Sequence, residues 1–348
     1  MNPHSYDAIV IGAGVIGLSL ALELRAQGRS TLVLERGEAG REASFAAAGM
    51  LAASQVAGPP ALRQMALESA AMFPDFVSGL ESRSGARIDF QRSGAIHYGE
   101  LAAAVPLSEP ELKKLEPAAS FLPPVYLLPE DFVDPRTLMA ALIEAARRDG
   151  VVLLHGSEVT EILVERGRAS GVKTAHSSYQ APVVVNCCGA WSAALSPSTP
   201  VRPVKGHMLC LLPPAGVNLR HAVRSELLDV YMLPRSDGRI VVGSTLEEAG
   251  FDKRVEPATI LRLHQLAADL VPQLGEARIH ESWTGLRPAA PDGLPLLGET
   301  ALGGYFLATG HFRNGILLAP ATAAAMAQLI AGEAPAFDLS PFSPKRFC

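Results

Sequence analysis

The 348-residue chain predicts an α/β fold in which a discontinuous first domain is interrupted by an inserted domain built on an antiparallel sheet. Three observations support this prediction. Residues 6–35 read as strand, glycine turn, helix and strand, residues 201–284 alternate like antiparallel strands, and residues 304–332 return to strand, glycine turn and apolar helix. Because the chain exceeds the usual size of one compact domain, two domains are expected.

A glycine-rich turn joins the first predicted strand to the first predicted helix. The apolar run at residues 8–11 is followed by the spacing G-x-G-x-x-G, formed by Gly12, Gly14 and Gly17. A second apolar run ends at the acidic residue Glu35. A lone G-x-G-x-x-G has little specificity, but strand, glycines, helix and a following acid together indicate a Rossmann-like nucleotide-binding lobe.

Each residue of this motif has its own physical role. Gly12 allows the tight turn, Gly14 lets the backbone approach a pyrophosphate, and Gly17 lets the helix pack closely on the strand. The helix N-terminus offers free N–H groups and a positive dipole end to the phosphates. The acidic side chain would bind ribose hydroxyls. The motif alone leaves both FAD and NAD open as the nucleotide.

The segment after the first third of the chain returns to the nucleotide-binding lobe. Helical periodicity covers residues 135–148, and short strands are expected at residues 151–154, 159–165 and 169–174. An almost continuous apolar strand then ends at Cys188, which is typical of a strand buried on both faces.

The inserted domain has a different character. Its apolar and polar residues alternate, a hairpin turn is expected at residues 236–238, and "ATILRLHQLAADLVPQL" predicts a helix. The predicted division assigns residues 1–86, 128–200 and 285–348 to the nucleotide-binding domain and residues 87–127 and 201–284 to the substrate-binding domain.

Composition excludes several classes of function. A formal charge of −5 and a pI near 6.0 provide no basic field, so no nucleic-acid partner is expected. The two longest apolar stretches are interrupted by glycine, proline or polar residues, so no membrane partner is expected either. The four cysteines have neither disulfide-framework nor metal-ligand spacing. We therefore expect a cytoplasmic protein without a metal.

Five motifs, in their order along the chain, resemble those of a known family. They are "DAIVIGAGVIGLSLALELRAQG", "REASFAAAGML", "VYMLPRSDGRIVVGST", "WTGLRPAAPDGLPLLG" and "GHFRNGILLAPATA". The chain resembles glycine oxidases of the thiamine-pathway type, within the D-amino-acid oxidase and sarcosine oxidase superfamily, over essentially its whole length. The resemblance is weakest at residues 99–123.

The resemblance implies FAD as the nucleotide. It also implies oxidative deamination of glycine, and of sarcosine or small D-amino acids, to the imino acid and then to glyoxylate and ammonia. Dioxygen would be reduced to hydrogen peroxide, and the pathway would be thiamine (thiazole) biosynthesis. Hydride passes to the flavin in this chemistry, so no catalytic acid or base is expected. Because "RPAAPDGLP" lacks the cysteine that anchors flavin in the sarcosine oxidase branch, noncovalent FAD is expected.

The same resemblance implies the site residues. Tyr231, Arg287 and Arg313 match the family positions that hold the amino-acid substrate, and the planar guanidinium suits a carboxylate. Asp229 stands where relatives can carry histidine and Leu246 where methionine can occur, so the preferred amine stays open. The residues expected to bind FAD are Gly12, Gly14, Val15, Ile16, Gly17, Glu35, Arg36, Ala43, Ser44, Ala48, Gly49, Met50, Val159, His311, Phe312, Arg313, Asn314, Gly315, Ile316 and Leu317.

The segment "HFRNGILLAP" carries a more detailed expectation. Arg313 is expected to be a buried guanidinium that binds the substrate carboxylate, because an unpaired buried charge is costly. Asn314 and Gly315 are expected to begin the following apolar helix, whose N-terminus would face the pyrimidine edge of the flavin.

Several alternatives remain open at this point. The nearest is a D-amino-acid or D-proline oxidase or dehydrogenase of the same superfamily, and the others are a flavin-binding protein without turnover and an NAD-dependent dehydrogenase. The expected partners are a small amino acid and O2. The resemblance also implies a homo-oligomer, with a tetramer as the state of relatives.

Overall fold

The computed structural model describes residues 5–101, 104–196 and 198–347. Within them the chain forms nineteen strands and seven α-helices. The strands are β1 (Ala8–Ile11), β2 (Thr31–Leu34), β3 (Met50–Leu51), β4 (Phe90–Gln91), β5 (Ala95–Tyr98), β6 (Val125–Leu128), β7 (Asp131–Val133), β8 (Val152–Leu154), β9 (Val159–Glu165), β10 (Arg168–Thr174), β11 (Ser178–Gln180), β12 (Val183–Asn186), β13 (Arg202–Leu212), β14 (Ala222–Ser225), β15 (Val230–Pro234), β16 (Ile240–Gly243), β17 (Arg278–Ala289), β18 (Leu296–Glu299) and β19 (Tyr305–Thr309). The helices are α1 (Val15–Ala26), α2 (Ala43–Ala46), α3 (Pro60–Ser84), α4 (Glu109–Leu115), α5 (Pro135–Arg148), α6 (Pro257–Leu270) and α7 (Ala319–Ala331).

A six-stranded sheet forms the centre of the nucleotide-binding lobe. Its strand order is β18-β19-β12-β1-β2-β8, and neighbours are parallel except β18 with β19. Ala8 and Val10 of β1 pack with helices α1, α3, α5 and α7, whereas Ile9 and Ile11 pack on the opposite face with residues of β9 to β11. Because both faces are covered, β1 is apolar at every position, and the predicted βαβ unit is confirmed.

The predicted meander divides between two sheets. The predicted helix at residues 135–148 and the predicted strand at residues 159–165 are confirmed as α5 and β9. β8 joins the six-stranded sheet beside β2, whereas β9, β10 and β11 form a separate antiparallel sheet.

The apolar strand that was expected to reach Cys188 ends earlier. β12 stops at Asn186, whose side-chain oxygen accepts the Cys188 N–H at 3.0 Å. The Asn186 side-chain nitrogen donates to the Ser192 carbonyl at 3.0 Å, so one polar side chain turns the backbone out of the sheet.

The inserted domain is built on a seven-stranded sheet of order β17-β13-β16-β15-β14-β5-β6. Its neighbours are antiparallel except β5 with β14, which are parallel. The hairpin turn expected at residues 236–238 is confirmed between β15 and β16, and Gly238 has φ +87°. Apolar residues of α6 pack with residues of β13, β15 and β16 in one core, so the amphipathic pattern of α6 follows from this sheet.

Two long strands connect the inserted domain with the nucleotide-binding lobe. β13 and β17 pair from Arg202 with Ala289 to Leu212 with Arg278. The proposed domain boundary between residues 284 and 285 therefore lies within β17. A small fourth sheet has the order β3-β7-β4, and both of its pairs are antiparallel.

The C-terminal helix begins later than predicted. A 3-10 turn covers Phe312–Asn314, further turns follow, and α7 begins only at Ala319. Asn314 and Gly315 thus precede the helix, because Pro320 at its second position sets the N-terminal turn. No helix in the described part of the chain is both long enough and apolar enough to cross a membrane.

Candidate active site

A cavity of about 520 Å³ extends from the first glycine turn to the seven-stranded sheet. Every residue predicted for the site lines it except Gly17. The structure therefore brings together the glycine turn, the end of β2, the segment after it, β15, β17 and the turn after β19. A cavity of this size is in the usual range for small-molecule sites.

The three motif glycines lie in different environments. Gly12 has φ +101°, and a Cβ there would lie 2.6 Å from the Cys187 carbonyl oxygen. A Cβ at Gly17 would collide with the Gly12 carbonyl, so glycine is needed where the helix packs on the turn. Gly17 faces this packing contact and does not line the cavity. In the described residues no acceptor lies within reach of the N–H groups of Gly14 and Ile16, which line the cavity. These free donors fit a pyrophosphate.

Glu35 is held at the end of β2 by backbone donors. Its carboxylate accepts the Ala13 N–H at 2.9 Å and the Gly37 N–H at 3.0 Å, and its side chain is buried. Each carboxylate oxygen has a second lone pair, so the fixed carboxylate can still accept ribose hydroxyls.

The segment at residues 43–50 forms one wall of small residues. The Ser44 hydroxyl accepts the Val15 N–H at 3.0 Å. Gly49 has φ +89°, and a Cβ there would collide with the Val133 carbonyl. Two side chains that the sequence did not single out hold this wall from behind, since Arg235 donates to the Ala48 carbonyl at 2.6 Å and Trp283 to the Ala46 carbonyl at 3.1 Å. A flat ligand such as isoalloxazine fits against this wall.

The turn after β19 offers another set of free donors. Among the described residues none accepts the N–H groups of Gly315, Ile316 and Leu317, and all three residues line the cavity. Unpaired backbone donors at a partly buried site favour an anionic oxygen. The free N–H groups at this turn and at the glycine turn fit the two polar parts of FAD, which are the flavin carbonyl edge and the pyrophosphate.

His311 stays neutral in the folded protein. It is 3% exposed, and burial lowers its pKa to about 3, while its Nε2 lies 3.1 Å from the Thr322 hydroxyl. The neutral imidazole therefore contributes packing and a hydrogen bond beside the cavity, and no charge at neutral pH.

We expect His311 to make the protein less stable in acid. Its folded pKa lies below the unfolded value, so between about pH 6.5 and 3 the unfolded state binds a proton that the native state does not. The free energy of unfolding should fall with decreasing pH, with a contribution of up to about 1.4 kcal/mol per pH unit. Urea denaturation of the parent and of His311→Asn near pH 7 and pH 5 measures it, and the variant should have the shallower slope. Equal slopes would show that His311 does not titrate in this way.

The three predicted substrate residues converge at one end of the cavity. Arg287 Nη1 donates to the Thr245 carbonyl at 3.1 Å and Nη2 to the Ser244 hydroxyl at 2.7 Å. The Tyr231 hydroxyl lies 3.5 Å from the Met208 sulfur. Because Gly206 has no side chain, the Arg287 guanidinium can lie directly over its backbone.

Arg313 differs from the expectation of burial. It is exposed on the open cavity, and no hydrogen-bond acceptor or carboxylate within the described residues pairs with its guanidinium. Partial desolvation and then the like charge of Arg287 lower the pKa of Arg313, while Asp229 and Tyr231 oppose the shift. The guanidinium remains charged and has all its donors free for an anion.

Several lining residues were missed by the sequence reasoning. Met208, Arg224, Ser244 and Trp191 line the cavity. The first three lie on strands or strand ends of the inserted domain, and their approach to the glycine turn depends on long-range packing. Trp191, in the segment "GAWS" that follows β12, could have been identified from the sequence, because it comes soon after a buried strand.

The adjacent cysteines both line the cavity, with Cys187 buried and Cys188 half-buried. Burial raises the pKa of the Cys188 thiol to about 12, with a further contribution from Glu35, and burial also raises the pKa of Cys187. Neither thiol is a thiolate near neutral pH.

The chain is similar to a described family and to relatives of known sequence. The family model described as FAD dependent oxidoreductase matches residues 7–329. The chain is 36% identical to the glycine oxidase of Geobacillus kaustophilus, an alignment that covers 99% of this chain and 97% of that relative. It is 35% identical to the bifunctional protein ThiO/ThiG of Synechocystis sp., covering 98% of this chain and 54% of that protein, so it spans about half the length of this relative.

Solved structures agree with this relationship. The crystal structure of the Geobacillus kaustophilus glycine oxidase superposes with a TM-score of 0.92 at 34% identity and covers 99% of both chains. Iminodiacetate oxidase from Chelativorans sp. superposes with a TM-score of 0.88 at 25% identity, covering 97% of this chain and 99% of that chain. The chain therefore belongs to the FAD-dependent oxidoreductase family, and FAD is its cofactor.

Proposed function

We propose that this protein is a glycine oxidase that binds FAD noncovalently. It converts glycine, water and O2 to glyoxylate, ammonia and hydrogen peroxide. The proposal rests on one observation. Arg287 and Arg313 line the same cavity as the free backbone N–H groups that fit a dinucleotide. The similarity to proteins named glycine oxidase, at 36% identity for one of them, supports glycine as the substrate.

FAD, when bound, supplies the two-electron oxidant and passes the electrons on to O2. The chain contributes binding and orientation. Ser244 and Thr245 orient Arg287 before the substrate arrives, and Arg313 has no competing partner among the described residues, so the two guanidinium groups can bind the carboxylate at little reorganisation cost. A bound carboxylate also offsets the repulsion between two groups of like charge.

The substrate end of the cavity favours a small amine. Met50, Met208 and Tyr231 line the cavity, and their bulk favours an amino acid with a small side chain. The free N–H groups of Gly315, Ile316 and Leu317 would stabilise negative charge on the flavin carbonyl edge. This arrangement needs no general base on the chain, in agreement with the absence of an assigned catalytic side chain.

We further propose a role in thiamine (thiazole) biosynthesis, in the cytoplasm and as a homo-oligomer. The similarity to a protein named bifunctional protein ThiO/ThiG, of which the alignment covers 54%, supports the pathway.

We expect glycine to be oxidised with release of hydrogen peroxide and bulky D-amino acids to be poorer substrates. Oxygen consumption and peroxide formation should be measured with glycine, sarcosine, D-alanine, D-proline and iminodiacetate. A preference for D-proline or D-alanine of about tenfold in kcat/KM, equal to about 1.4 kcal/mol, would move the assignment to a D-amino-acid oxidase or dehydrogenase. Absence of turnover by FAD-loaded protein with all five amines would favour a flavin-binding protein without catalysis.

A further inference from the structure

A loop of the inserted domain crosses to the FAD-binding lobe. This loop, which we call the strap, comprises residues 244–256 and connects β16 with α6. Its base is fixed on the inserted domain, because Glu247 exchanges two backbone hydrogen bonds with Lys205, at 2.9 and 3.0 Å. At its other end the Glu256 N–H donates to His207 Nε2 at 3.1 Å. Both ends of the strap are therefore held by β13.

The tip of the strap contacts the FAD-binding lobe at two points. The ring centroids of Phe251 and Trp191 are 5.3 Å apart with an interplanar angle of 31°. Lys253 Nζ lies 2.8 Å from Glu42 Oε2. The Thr284 hydroxyl donates to the Lys253 carbonyl at 2.7 Å, which orients the backbone between the two contacts.

These contacts belong to a closed ring that includes three residues lining the cavity. The Arg36 guanidinium carbon lies 3.7 Å from the Trp191 ring centroid, and Arg36 Nη2 lies 3.2 Å from Glu42 Oε1. The ring thus runs from Phe251 to Trp191, Arg36, Glu42 and Lys253 and returns through the strap. Trp191, Arg36 and Glu42 line the cavity, and Arg36 follows the ribose-binding candidate Glu35 directly in sequence.

The two contacts at the strap tip are exposed, which suits a role in holding a ligand better than a role in stabilising the fold. Phe251 is 53% exposed, so it buries less apolar area than a core phenylalanine and contributes little to the stability of the fold itself. The Lys253–Glu42 pair is also exposed, at 44% and 36%, and a pair of this kind is weak in isolation. Together they join two lobes across the rim of one cavity, where even weak contacts oppose the opening that ligand exit requires.

We propose that Phe251 and Lys253 form a clasp that retains FAD by closing the cavity over its adenosine half. The proposal rests on the proposed function only in that FAD is bound noncovalently. Dissociation of FAD requires the ring of contacts to open, so each residue of the clasp slows release. The strap also carries Ser244 and Thr245, which hold Arg287, and this links retention of FAD to the order of the substrate end.

The test compares FAD release from the full-length parent, Phe251→Ala, Lys253→Ala and the double variant. Apoprotein is first titrated with FAD, and release of FAD from the reloaded protein is then followed by flavin fluorescence after dilution. The double variant is expected to release FAD about tenfold faster than the parent. The unfolding temperature of the apoprotein should stay close to that of the parent in all variants, because Phe251, Lys253 and Glu42 are exposed and their contacts contribute little to the stability of the fold.

Two matched controls lie on the same strap. Arg254 is paired only with Asp252 of the strap among the described residues, and Val255 is another exposed apolar side chain, at 37%. Arg254→Ala and Val255→Ala should release FAD within about twofold of the parent rate. Equal acceleration by the control pair and the clasp pair would overturn the clasp, because any loosening of the strap would then suffice.

Two further outcomes are decisive. A parental release rate in the Phe251 and Lys253 double variant would overturn the clasp while leaving the proposed function intact. A parent protein that binds no FAD would contradict the proposed function, and the clasp with it.

Discussion

Replacement of Arg313 by alanine is expected to lower kcat/KM for glycine by an amount equivalent to about 2 to 5 kcal/mol. Among the described residues the guanidinium has no hydrogen-bond or ion-pair partner, and it lies near the Phe312 ring, 5.5 Å from its centroid. The variant therefore removes a substrate contact without leaving a protein acceptor unpaired. Arg313→Lys should recover only part of the loss, because an ammonium group cannot reproduce the planar fork. Steady-state kinetics on variants of confirmed FAD content measure the effect.

The stability of the Arg313 variant provides the control. Partial desolvation and then the like charge of Arg287 lower the pKa of Arg313, so loss of Arg313 should leave the unfolding temperature unchanged or slightly higher. Oxidation of an amine without a carboxylate should be unaffected by the replacement. If Arg313→Ala oxidises glycine as well as the parent does, the carboxylate must be bound by Arg287 alone. Arg287 itself is a less direct test, because its removal also leaves the Thr245 carbonyl without a donor.

Gly14→Val is expected to abolish binding of FAD while the fold survives. Gly14 has φ −78° and ψ −178°, an extended conformation that valine adopts, so the backbone itself does not require glycine. A Cβ at this position would lie 3.2 Å from the Ser44 hydroxyl, and the valine methyl groups would occupy the space beside the free N–H groups of the turn. The purified variant should therefore be colourless, with loss of the flavin absorbance as the measurement.

Gly79→Val is the matched control for this loss. Gly79 lies exposed in α3, and no atom within 4 Å would meet a Cβ there. Its variant should keep the parental FAD content with little change in helix stability, since valine is a slightly better helix former than glycine. Full FAD occupancy in Gly14→Val would show that the pyrophosphate does not approach the backbone at this turn.

Local sequence patterns predicted the elements that are buried on both faces or strongly amphipathic. The bounds of β1, α5 and β9 agree with the predictions because their apolar periodicity is set by the neighbours that cover them. The end of β12 and the start of α7 were wrong. In both cases a few polar or turn-forming residues redirect the backbone, through the Asn186 side chain and the turns after Phe312.

Some residues of the candidate site could be predicted from local patterns and others could not, because only some of them lie close together along the chain. The glycine turn and Glu35 are adjacent in a βαβ unit, so their spacing along the chain indicates their spacing in space. Tyr231, Arg287 and Arg313 were identified through resemblance to a family, since no local pattern relates residues that distant. Arg235 and Trp283, which hold the wall at residues 43–50, had no signal, because their hydrogen bonds span 187 and 237 residues along the chain.

The sequence alone determined the α/β class and the nucleotide-binding turn, because these depend on periodicity and on short-range spacing. Only the tertiary structure decided that Arg313 is exposed on the cavity while Arg287 is held by Ser244 and Thr245, and that residues 244–256 cross from one lobe to the other. Exposure of side chains and contacts between the lobes depend on how β13 and β17 position the inserted sheet relative to the glycine turn. That position is set by pairings between residues far apart in the chain.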